Sequence, residues 1–172
     1  MTTPGSLWER LDTALAAAFT AAMGEDGSYT TDILAAVSVS ETWDPDKGPF
    51  PRLILWSVVA RPEIGSHGGG GQIHVTTTIP YMAVALCQGS SYAAARATTQ
   101  TLFSRLIAVL RGGAAILATA QAADPTSPER AVRLTFDRGL GGSGIEIRGR
   151  QGSNNGIWRG LAVVAFSIET FI

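Results

Sequence analysis

At 172 residues and 18.0 kDa the chain can bury one core without disulfides or a metal, and a single domain is the expectation. Hydrophobic residues make up 45% of it, which argues for a packed globule, while charged residues make up only 16%, a sparse coat for a monomer wet on every side. A net charge of −1 and a pI near 6.1 exclude a global attraction for nucleic acid or an anionic membrane.

Cys87 is the sole cysteine, so an intramolecular disulfide and a cysteine-rich zinc cage are excluded and a reducing compartment is expected. Met1 to Leu7 lacks a basic segment followed by an apolar run, and no window reaches the roughly 18 apolar residues of a membrane span. A cytosolic protein is the expectation.

In chain order, Leu7, Leu11, Leu15 and Phe19 recur every fourth residue and predict an amphipathic helix ending near Gly24, with Pro4 suited to its first turn. A turn-rich loop follows, then a strand from Ile33 to Glu41. The run WDPDKGPFP carries three prolines and predicts a surface loop, the first of three flexible loops expected near 42–51, 62–72 and 122–130. RLILWSVVAR, from Arg52 to Arg61, predicts a central strand buried on much of both faces. EIGSHGGGGQ reads as a loop that is flexible or orders only against a partner. Gln72 to Gln88 predicts a long strand with a bulge or bend at Pro80.

Ser90 or Ser91 caps a second helix whose stripe Tyr92, Ala95, Thr99, Leu102, Leu106, Val109 and Leu110 ends at Gly112-Gly113. Ala114 to Ala122 adds a helical turn or two, and ADPTSPER reads as a linker. Ala131 to Asp137 alternates Val132, Leu134 and Phe136 against polar residues, and Gly144 to Arg150 alternates Ile145 and Ile147 likewise, so both predict half-exposed strands. Asn155-Gly156 predicts a tight turn into a last strand, Ile157 to Phe171, with Val164, Phe166 and Ile168 facing in. The whole predicts an α+β domain: a mixed, mainly antiparallel sheet packed against an N-terminal helix and a long central helix.

Chemistry-bearing patterns are thin. Gly139, Gly141 and Gly144 spell GxGxxG, yet GIEIRGR after them alternates like a strand, whereas a dinucleotide site needs a helix N-terminus there, so a glycine-rich hairpin loop is the reading. His67 and His74, the only histidines, meet only if their loop folds back, and two histidines with Glu63 do not make a zinc site. Cys87 among apolar neighbours reads as a small buried hydrophobe rather than an activated thiolate. Glu25-Asp26 and Asp44-Asp46 read as turn residues. No GxSxG elbow is present. No catalytic residue, cofactor or metal is therefore expected, and no sequence-specific nucleic acid or membrane partner. Arg148, Arg150 and Arg159 flank the Asn155-Gly156 turn with Trp158 among them, a pairing favoured at protein interfaces.

The order helix, strands, long helix, strands, with IPYMAVALCQGSSYAAARATTQTLFSRLIAVLRG and the later WRGLAVVAFSIETF, resembles the tail terminator or tail completion proteins of long-tailed bacteriophages. The likeness runs from Arg52 to Phe171. It implies a non-enzymatic virion subunit that forms a hexameric ring on the finished tail tube, stops polymerisation and joins the tube to the head and neck. The partners so implied are copies of itself, the tail tube protein and a head-completion or neck protein. It also implies assembly in the host cytoplasm and residence in the virion tail. The chain departs from the pattern in its added loops. Candidate subunit contacts are His67, Gly68, Gly69, Gly70 and Gly71 in the glycine loop, and Arg148, Arg150, Trp158 and Arg159 in the hairpin. The rival readings are another neck or tail-tube component, and a small ligand-binding or enzymatic α+β domain with a pocket between helix and sheet.

Overall fold

The computed structural model of the protein describes residues 5–23, 36–39, 49–57, 65–67, 74–136, 143–149 and 157–171. Helix α1 spans Leu7–Met23 and buries Leu7, Leu11, Leu15 and Phe19, the stripe read from the sequence, together with Arg10, Ala14 and Met23. Its start is fixed by a capping box: the Ser6 hydroxyl accepts from the Glu9 amide at 3.3 Å, and the Glu9 carboxylate accepts from the Ser6 amide at 2.8 Å. The signal Ser6-x-x-Glu9 was present in the sequence beside the proline.

The strands are β1 (Ala36–Val39), β2 (Arg52–Ser57), β3 (Gly65–His67), β4 (His74–Gly89), β5 (Arg130–Phe136), β6 (Gly144–Gly149) and β7 (Trp158–Phe171). They form one sheet in the order β1-β2-β4-β7-β5, with β3 also on β4 and β6 also on β7. The β1–β2 pair is parallel and every other pair antiparallel, the mixed α+β arrangement expected. At the heart is the β4–β7 ladder, paired without interruption from Thr76 opposite Phe171 to Gly89 opposite Trp158.

Each central strand carries two strands on its outer side. Both β5 and β6 run antiparallel to β7, so they lie in line rather than facing each other. Between Phe136 and Gly144 the chain advances eight residues while β7 retreats only three, from Phe166 to Val163. Strands β5 and β6 are thus not the two arms of a hairpin, which corrects the hairpin reading of Gly139, Gly141 and Gly144; Gly139 and Gly141 themselves lie outside the described residues. Strands β2 and β3 follow β4 in the same way. His67 therefore belongs to a strand inside the expected 62–72 loop, with Gly65–His67 paired to β4.

The bulge expected at Pro80 is absent, because Pro80 stands opposite Ser167 in unbroken register. A proline fits a ladder where its missing N–H points away from the partner. Here β2 pairing begins only at Tyr81 and β3 pairing ends at Thr76, so among the described residues no strand bonds that other side. The bulge falls instead in β5, between Ala131 and Arg133. It turns Ala131 and Leu134 toward the core and leaves Val132 exposed, correcting the simple alternation of Val132, Leu134 and Phe136.

Helix α2 (Tyr92–Arg111) starts at Ser91, whose hydroxyl accepts from the Ala94 amide at 3.1 Å. Ser91→Ala is expected to cost about 1 kcal/mol in chemical denaturation, the usual worth of such a cap. At Gly112 the chain bends by 57° into a third helix, α3 (Gly113–Ala122), longer than the turn or two expected. No single described helix is long and apolar enough to cross a membrane. The segment after α3, expected as a flexible linker near 122–130, is a hydrogen-bonded turn: the Asp124 carboxylate accepts from the Thr126 amide and hydroxyl, and the Ser127 hydroxyl accepts from the Glu129 amide.

The helices cover one face of the sheet, where Leu53, Leu55, Tyr81, Ala83, Cys87, Ala162, Val164, Phe166 and Ile168 meet Leu11, Leu15, Phe19, Leu102, Leu106 and Leu117. The other face carries a smaller apolar cluster of Ile54, Val84 and Leu86 with Phe50, Met82, Leu161 and Val163. This two-sided burial explains why β2 reads as apolar throughout.

Candidate subunit contact surfaces

The candidate contacts separate into two ends of the sheet. His67 stands directly opposite His74, closing the β3–β4 hairpin, so the two histidines do come together in register. Gly68, Gly69, Gly70 and Gly71 lie outside the described residues, as does Arg150. At the other end, Gly149 faces Trp158 at the base of the β6–β7 hairpin, and Trp158 in turn faces Gly89. The 16 residues of β4 that span these ends extend about 50 Å at about 3.3 Å per residue.

The expected cluster of arginine and tryptophan is divided by the pleat. Trp158 and Arg159 are consecutive in a strand, and their side chains leave on opposite faces. Trp158 lies on the helix side against Tyr92, edge to face at 5.4 Å between ring centroids. Arg159 lies on the other side, its guanidinium 4.1 Å from the centre of the Phe50 ring. Its Nε and Nη1 are shielded from solvent and find no hydrogen-bond partner among the described residues. Arg148 is held by its own strand: Nε donates to Glu146 at 2.6 Å and Nη2 at 2.9 Å. This exposed pair lowers the Glu146 pKa and raises that of Arg148, chiefly through those hydrogen bonds. Phe50 carries no signal of this contact in the sequence, where it falls in a proline-rich run. Tyr92 begins the helical stripe of α2, yet it is exposed.

Both sheet edges present apolar side chains. Among the described residues the exposed large hydrophobics include Val39 on β1, Val132 and Phe136 on β5, and Ile145 on β6. Edge strands that display apolar groups and unpaired backbone are templates for further pairing.

Cys87 is buried, its Sγ 3.2 Å from the Thr99 hydroxyl, and burial raises the thiol pKa despite that contact. The Ser143 hydroxyl accepts from the Ala165 amide at 3.2 Å, and a strand rather than a helix follows Gly144. A groove of about 560 Å³ on the outer side of α2 is lined by Ala97, Gln100, Thr101, Ser104 and Arg105. A second, of about 250 Å³, lies between α1 and α3, and neither touches Cys87. Among the described residues no three His, Cys, Asp or Glu side chains gather as metal ligands.

Asp12 and Tyr81 form a partly buried titratable pair, the phenol donating to the carboxylate at 2.9 Å. Burial raises the Asp12 pKa, outweighing the opposing hydrogen bond from Tyr81, with Glu9 adding to the rise. The folded carboxyl holds its proton more tightly than the unfolded one. Its contribution to stability is therefore full below the ordinary carboxylate value and lost as pH rises past the folded value. Asp12→Asn should raise the denaturation midpoint at neutral pH, and the gain should shrink as pH falls through the carboxylate range. A gain that grew in acid would contradict this.

The chain matches no protein-family profile and no curated protein sequence.

Proposed function

We propose that the protein is a structural subunit of a phage tail, a terminator or completion protein whose ring caps the tail tube, stops its polymerisation and joins it to the head and neck. The observation that carries the reading is the placement of the two hairpins at opposite ends of the β4–β7 ladder. A terminator needs two axial surfaces, one for the tube and one for the neck, and a long stiff ladder with a hairpin at each end supplies them. The order of elements from Arg52 to Phe171, with α2 seated on β4 and β7, also fits the resemblance. The edges, where no further strand pairs among the described residues, suit lateral contact with like copies, a heterologous interface that closes by rotation. In this role the chain acts through its surfaces, with no catalytic residue and no cofactor.

Native mass spectrometry and negative-stain images of the purified protein test the reading. A closed ring, hexameric in the expected case, supports it. A strictly monomeric particle that neither forms rings nor caps tail tubes would overturn it.

A further inference from the structure

We infer that the subunits join laterally by sheet edge to sheet edge, with Val39 of one copy seated between Phe136 and Ile145 of the next. The inference rests on the ring reading above and specifies its lateral contact.

Strand polarity permits the joint. Strand β1 runs with β2, β2 against β4, β4 against β7, and β7 against β5 and β6. Strands β1 and β5/β6 therefore point in opposite directions at the two edges. Copies related by rotation about an axis along the strands bring them together as an antiparallel pair, the pairing that antiparallel sheets extend most readily. Among the described residues no strand occupies the outer side of either edge.

The side chains match in level and in face. Across the sheet, Val39 stands opposite Leu55, Leu55 opposite Ala83, and Ala83 opposite Val164. At the far edge Phe136 stands opposite Phe166 and Ile145 opposite Ala162. The level of Val39 thus falls midway between the two, at the interruption where the chain leaves β5 and returns as β6. Leu55, Ala83, Val164, Phe166 and Ala162 all belong to the core beneath the helices, so the three edge side chains share that face. Val39 is 44% exposed, Phe136 44% and Ile145 41%, large values for apolar residues in strands. The opposite face of the β5/β6 edge is charged, with Arg133 bonded to Glu169 and Arg148 to Glu146. Among the described residues one edge thus offers an apolar knob and the other two apolar side chains that flank its level, with Ser143 between them, and this match of polarity, level and face points to a second copy of this chain as the occupant.

Engineered cysteines test the joint, because Val39 lies four strands away from the β5/β6 edge and cannot reach it within one chain. Strands about 4.8 Å apart put the edges roughly 19 Å from each other, far beyond disulfide reach. Full-length Val39→Cys/Ile145→Cys and Val39→Cys/Phe136→Cys proteins, mildly oxidised, should give a ladder of covalent oligomers ending at the ring species in at least one pairing. Each single variant should remain uncrosslinked. Ile145→Lys should keep its fold by circular dichroism yet lose assembly. If the wild-type protein forms rings while both double variants stay uncrosslinked, or Ile145→Lys still assembles, the edge joint is wrong and the ring reading stands. Dimers from the single Ile145→Cys variant would show a like-to-like edge and overturn the inference. A monomeric wild-type protein would overturn both.

Discussion

Gly160→Ala should destabilise the native state by about 3 kcal/mol, because the site where α2 crosses β7 has no room for a methyl group. Gly160 stands opposite Cys87 on the helix face of the β4–β7 ladder, and Thr99 of α2 presses on it from above. A Cβ there would overlap the Thr99 hydroxyl and lie 2.6 Å from Cys87 Sγ. The hydroxyl is not free to swing away, since it donates to the Ala95 carbonyl at 2.6 Å. Gly89 marks the same close approach one strand over, where a Cβ would lie 2.6 Å from the Ala95 amide. Together the two glycines let the first turns of α2 rest on backbone. Denaturant titration of Gly160→Ala, Thr99→Ala and the double variant measures the clash. The double variant should be less destabilised than the sum of the singles, because Thr99→Ala removes the nearest obstructing atom. Strict additivity would show that the contact is not the cause.

Arg10→Ala should cost about 3 kcal/mol, the usual range for breaking a buried ion pair from one side. Arg10 lies on the buried stripe of α1 with its side chain only 5% exposed. Its Nη1 approaches the Asp124 carboxylate at 3.6 Å and donates to the Asp124 carbonyl at 3.2 Å. Its Nη2 approaches Glu129 at 3.6 Å and donates to the Ser127 hydroxyl at 3.1 Å. Glu129 also accepts from the Leu7 amide, so the arginine ties the start of α1 to the turn between α3 and β5. Truncation removes the buried cation from two carboxylates and a hydroxyl at once, leaving Asp124 with Thr126, Glu129 with the Leu7 amide and Ser127 with the Glu129 amide as their remaining partners. Arg10→Met, which keeps the apolar stem, should be milder than Arg10→Ala, and hydrogen exchange in 123–129 should accelerate in both. Unchanged protection there would show that the turn stands without the arginine.

What could be read from the sequence follows from local periodicity. The spacing of Leu7, Leu11, Leu15 and Phe19, and of Ala95, Thr99, Leu102, Leu106 and Leu110, places both helices and their buried faces. Period-two alternation places Val164, Phe166 and Ile168 inward on β7. What could not be read depends on pairing across the chain. That β5 and β6 share one side of β7 follows from their register with β7 and not from the glycine pattern between them, which suggests a hairpin equally well. The bulge at Val132 likewise answers to Thr170 and Glu169, nearly forty residues away. The separation of Trp158 from Arg159 is a different case: the alternation that marks β7 as a strand already sends neighbours to opposite faces. Arg10 reads as a charge interrupting an apolar stripe, and only the position of Asp124 and Glu129 explains it. Val39 becomes informative once its row across the sheet is known.

A ring that caps a tube is tested most directly at the tube's end. Purified phage tail tubes of the matching type, mixed with the protein and imaged by electron microscopy, should carry one ring-shaped density at a single end and cease to elongate when tube protein is added. Tubes that remain bare and keep growing, with the protein dispersed as monomers, would contradict the account.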